Sequence, residues 1–71
     1  MEFSDKLKQA RKELNMSQMS LAQELGVAFT TINRWENEKF MPNYRAIKKF
    51  EDFCKEKGLN FETEVQVHET L

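Results

Sequence analysis

Asn33 and Arg34 stand side by side and carry two of the most versatile hydrogen-bonding groups in the chain. A guanidinium offers two parallel donors, the complement of guanine O6 and N7. A carboxamide offers a donor beside an acceptor, the complement of adenine N7 and N6. Four positions before them, Phe29 and Thr30 supply a ring and a methyl group, either of which can touch a thymine methyl. Catalytic and metal chemistry have far less to work with. Cys54 and His68 are the single cysteine and single histidine, with no spacing that makes a zinc site or a nucleophile and its base. The two glycines, Gly26 and Gly58, do not form a loop that could cradle a phosphate. The expectation is therefore a protein that is not an enzyme, with no metal and no cofactor.

A chain of 71 residues makes one domain, which must build its core from local contacts because so short a chain buries only about 60% of its unfolded surface. One cysteine allows no internal disulfide. No apolar run approaches the roughly 20 residues of a membrane span, and the start, Met1-Glu2-Phe3-Ser4-Asp5, is unlike a signal peptide. A cytoplasmic protein is expected. The net charge of −1 is not that of a typical nucleic-acid binder, but it is unevenly spread. Residues 1–49 hold nine Lys/Arg against six Asp/Glu, and residues 50–71 hold two against six. That asymmetry permits nucleic-acid binding without demonstrating it.

The elements that would position these groups are helices. Phe3, Leu7, Ala10 and Leu14 recur at helical spacing, with Ser4 as the expected N-cap and Asn15 as the left-handed stop. Ser17 reads as the cap of a second, two-turn helix in which Leu21, Ala22 and Leu25 form the buried edge. Met16 and Leu21 are placed as a hydrophobic staple, and Gly26 closes the helix. A third helix, over about residues 28–37, turns Ile32 and Trp35 to the core. Two short helices joined by a glycine turn have the form of a helix-turn-helix. Pro42 then breaks the chain. Asn43 caps a fourth helix with Tyr44, Ile47, Phe50 and Cys54 on one stripe and Phe53 off it, and Gly58 and Leu59 end it. On that stripe Cys54 reads as inert core. Beyond this the period changes: Phe61, Thr63, Val65 and Val67 alternate with Glu62, Glu64, Gln66 and His68, which is a strand signal.

Leu14-Asn-Met-Ser-Gln18, Leu21-Ala22, Leu25-Gly26-Val27, Ile32-Asn-Arg-Trp35-Glu36-Asn37 and Pro42 together resemble the phage-repressor/Cro-type (XRE-like) helix-turn-helix family. The resemblance covers about residues 5–59. It implies an all-α, compact bundle of four to five helices whose third helix enters the major groove of double-stranded DNA. On that implication Phe29, Thr30, Asn33 and Arg34 contact bases. Gln18, Asn37, Lys39 and Asn43 would contact phosphates, which fix register without reading sequence. Arg11 and Glu36 match a family pair that forms a partly buried ion pair tying the first helix to the third. Three positions depart from the family pattern. Ala28 replaces the usual capping Ser or Thr, Glu38 replaces a common glycine, and Phe29 replaces a polar base reader.

The resulting expectation is sequence-specific DNA binding by a small transcriptional regulator, a repressor, with a DNA-binding domain over 1–59 and a C-terminal strand or tail over 60–71. Residues 61–67 would pair with the same strand of a second copy. Such a homodimer sets two recognition helices about 34 Å apart, on successive major-groove turns. The alternative is a protein-interaction module, such as an antitoxin-like partner binder, that keeps the fold without strong DNA binding.

Overall fold

The computed structural model describes residues 2–61, and four helices follow one another: α1 (Phe3–Leu14), α2 (Gln18–Leu25), α3 (Phe29–Glu36) and α4 (Tyr44–Glu56). All four described elements are helical, in agreement with the expected all-α class. The expected strand at 61–67 lies outside the described residues apart from Phe61, which is in no regular element and packs partly buried against the core.

Each helix ends in the same way. An amide two or three positions past the helix end reaches back to the carbonyl five residues earlier: Met16 N–H to Arg11 (2.8 Å), Val27 to Ala22 (3.0 Å), Lys39 to Arg34 (2.9 Å) and Leu59 to Cys54 (2.8 Å). This six-to-one bond needs a left-handed residue just before it. Asn15, Gly26 and Gly58 supply it, and so does Glu38, with φ of 57°. A glutamate held there costs roughly 1–2 kcal/mol. The anomaly noted in the sequence at position 38 is therefore a strained but ordinary helix stop.

Helix starts are less uniform. Ser17 and Asn43 accept from the amides of Ser20 (3.0 Å) and Ala46 (2.8 Å), as expected of N-caps. At Ala28 no side chain caps α3. Ser4, expected to cap α1, does not: the helix begins at Phe3 after Glu2, and Ser4 is buried as its second residue. The reason is aromatic packing. Phe3 sets its ring edge-on to Trp35 (centroids 5.6 Å apart) and to Phe50 (5.4 Å), an arrangement that aromatic quadrupoles favour. With Phe3 so placed, Ser4 faces inward, and its hydroxyl donates to Glu38 Oε2 at 3.0 Å.

Leu7, Ala10, Leu21, Ala22, Leu25, Ile32, Trp35, Phe50, Phe53 and Cys54 form the core. Two expectations for α4 are corrected. Tyr44 is exposed because it occupies the first helical position, beyond the edge of the bundle. Phe53 is buried, 6.5 Å from the Phe50 ring and roughly parallel to it. The apolar stripe is therefore wider than a single row and shifts toward the helix C-terminus. Burial pushes the Cys54 thiol up to about 11, as suits a packed, unreactive sulfur. Among the described residues, no helix is long and apolar enough to cross a membrane.

Candidate nucleic-acid interface

Helix α3 has two unlike sides. Ile32, Trp35 and Glu36 are buried against α1 and α2. Thr30 and Arg34 are exposed, Phe29 is 44% exposed, and Asn33 lies half-buried at the boundary. The four expected base readers thus share the outer surface of one eight-residue helix. Asn37, Lys39 and Asn43 are also exposed, on the chain that leaves α3 and enters α4. The Asn43 side-chain oxygen Oδ1 is engaged by the α4 cap, accepting from the Ala46 N–H. Gln18, by contrast, is half-buried and committed to neighbouring side chains.

What holds α3 is a carboxylate under the helix. Arg11 on α1 donates through Nε to Glu36 Oε2 (2.7 Å) and through Nη2 to Oε1 (2.9 Å), a two-pronged geometry that only a guanidinium makes. Its Nη1 also donates to the Met16 carbonyl (3.3 Å), so a single side chain joins α1, the α1–α2 turn and α3. Burial pushes the Glu36 carboxyl up, but hydrogen bonds from Arg11 and Gln18 and the nearby charges of Arg11 and Lys8 outweigh it and hold the group below its ordinary range. The same hydrogen bond to Glu36 raises Arg11, against the opposing effect of burial.

The pair continues outward as a chain of amides. Gln18 Nε2 donates to Glu36 Oε1 (3.0 Å), Asn33 Nδ2 to Gln18 Oε1 (3.3 Å), and Asn37 Nδ2 to Asn33 Oδ1 (3.2 Å). This connection does not appear in the sequence reading. The Asn33–Asn37 link was legible, since residues four apart on a helix face each other. The Gln18 link spans 15 residues and exists only once α2 and α3 are packed.

The helix-turn-helix family matches residues 7–59, and the chain belongs to it, specifically to the phage-repressor (XRE) type, a family of DNA-binding transcriptional regulators. The chain is also similar to the HTH-type transcriptional activator BcrR of Enterococcus faecalis, with 42% identity over 53 residues. That match covers 75% of this chain but 26% of the relative, so the chain spans about a quarter of that protein's length. No solved structure matches it.

Proposed function

We propose that the chain binds double-stranded DNA sequence-specifically, with α3 lying in the major groove. The observation that carries this reading is the two-sidedness of α3: its inner side is clamped by the core and the Arg11–Glu36 pair, while its outer side presents Phe29, Thr30, Asn33 and Arg34 together. In this arrangement Arg34 reads guanine and Asn33 reads adenine, while Thr30 and Phe29 contact thymine methyls. Asn37, Lys39, Asn43 and the remaining Gln18 N–H serve the phosphates. Residues 1–59 form the DNA-binding unit and 60–71 an extension.

Regulation by such a unit is proposed to be repression, because occupancy of a promoter suffices to block it. A homodimer is proposed to form through residues 61–67. In support, Phe61 ends the described chain as part of the apolar lining, with Phe50 and Leu59, of a hollow of about 290 Å³ whose rim carries Lys6, Lys55, Glu51 and Asp52.

Selection of bound sequences from random duplex DNA tests the central reading. The expected product is a palindromic site whose affinity falls by orders of magnitude between low and moderate salt. Failure to enrich any sequence overturns it. A reporter driven from the recovered site gives the sign, and activation would overturn repression. One observation favours the second reading, that of a protein-binding module: Met41 and Tyr44 are each 77% exposed beside the start of α4, more apolar surface than phosphate contact calls for. Salt-insensitive binding to a protein partner, with no DNA enriched, would select it.

A further inference from the structure

The amide chain has a direction, and that direction is set from its buried end. In isolation each carboxamide of Gln18, Asn33 and Asn37 has two nearly isosteric orientations. Glu36 removes the choice for the first of them. Its carboxylate accepts and cannot donate, and it is 4% exposed with both oxygens occupied by Arg11. Gln18 must therefore turn Nε2 toward it, at 3.0 Å. That leaves Gln18 Oε1 facing Asn33, so Asn33 must answer with Nδ2. Asn33 Oδ1 then lies on the far side, where it accepts from Asn37.

We infer that Glu36 is a positioning residue for base recognition, fixing through Gln18 which end of the Asn33 carboxamide is donor and which is acceptor. This deepens the proposed function and rests on Asn33 being a base reader. Asn33 keeps one N–H and one lone pair uncommitted, with the donor end toward Gln18 and the acceptor end toward Asn37. Adenine presents N7 and N6–H₂ in a fixed order across the major groove, and exchanging A·T for T·A moves that pattern to the other strand. A carboxamide free to turn over could accommodate both. One with its ends fixed accepts adenine on one strand only. Arg11 acts one step further back, by keeping Glu36 an anion.

The test uses the operator recovered by selection. N33A locates the base pair that Asn33 reads, as the one position per half-site where preference is lost. Reversing that pair from A·T to T·A should weaken the wild-type protein at least tenfold. N37D puts an acceptor-only group against Asn33 Oδ1 and sets it in conflict with Gln18. The A·T over T·A ratio should then shrink to within about threefold, while the general weakening from added negative charge cancels in the ratio. Q18A cuts the link between Glu36 and Asn33 and should shrink the ratio likewise; an unchanged ratio in Q18A overturns the inference. E36Q, if its helicity is retained, should collapse the ratio in the same way; if it unfolds, Q18A decides.

A DNA-free measurement separates this inference from the reading it rests on. In the ¹⁵N-labelled protein, the side-chain amide signals of Gln18, Asn33 and Asn37 should shift together on acidification, with the single midpoint of Glu36. An Asn33 signal that ignores the titration overturns the inference whatever the DNA results. Conversely, if N33A changes no base preference, the base-reading role of Asn33 fails, and the amide titration still decides whether Glu36 orients it.

Discussion

The two sides of α3 differ in what surrounds their residues, and the difference shows how one eight-residue helix can be held firmly on one side and left free on the other, as the proposed recognition role requires. On the inner side Ile32 is fully buried, Trp35 packs edge-on to Phe3, and Glu36 is clamped by Arg11. On the outer side Arg34 and Thr30 are exposed and Phe29 is partly so. A helix of two turns has no stability of its own in water, so its outer side can be held rigid only by what its inner side buries. Asn33 sits at the seam, where Gln18 reaches it from α2.

The strongest attempt to break this division is on the inner side. Ile32→Ala should destabilise by about 2–5 kcal/mol through lost burial and a residual cavity, read as a lowered denaturation midpoint. It should cost DNA affinity only in proportion to the unfolded fraction. Arg11→Ala strands the buried carboxylate and should cost about 3 kcal/mol, near the lower end for a broken buried pair, because Arg11 itself is a quarter exposed. The pair also makes stability depend on pH. The folded-state value of Glu36 is depressed, so its contribution is fully present above the ordinary carboxylate range and is lost as pH falls through the folded value. Unfolding midpoints followed below about pH 5 should therefore decline in the wild type and decline less in Glu36→Gln.

The outer side should give the opposite result. Arg34→Ala should leave the melting temperature nearly unchanged, since exposed substitutions stay within about 0.5 kcal/mol. It should abolish preference at one base pair per half-site, a loss of about 1–3 kcal/mol of discrimination. A large fall in stability would show that the two sides are not separable. The smallest effect is expected at the entrance to α3. Ala28→Ser supplies the missing cap and should stabilise by about 1 kcal/mol, with a rise in thermal midpoint that needs no change in sequence preference.

Much of this was legible in the chain. Capping residues and stops stood at Asn15, Ser17, Gly26, Asn43 and Gly58, and the structure places a helix boundary at each. Local signals of this kind survive folding because a helix end must satisfy its own orphaned amides and carbonyls wherever it is placed. The misreadings share a cause. Ser4 satisfies a local rule for an N-cap, but Phe3 has tertiary partners in Trp35 and Phe50 that move the start of α1. For Tyr44 and Phe53, periodicity alone gives the spacing of an apolar stripe without saying where the bundle ends.

By itself the sequence determined where helices start and stop, which residues of α3 turn inward, and the family to which the chain belongs. The helix ends and the inward face of α3 depend on residues within a few positions of one another, and the family shows in the order of short motifs along residues 7–59. Only the tertiary structure decided that Glu36, Gln18, Asn33 and Asn37 form one directed chain, and that Ser4 answers Glu38 across 34 residues. A carboxamide has no preferred orientation until a neighbour supplies one. Here that neighbour, the carboxylate of Glu36, reaches Gln18 only through the packing of α3 on α2.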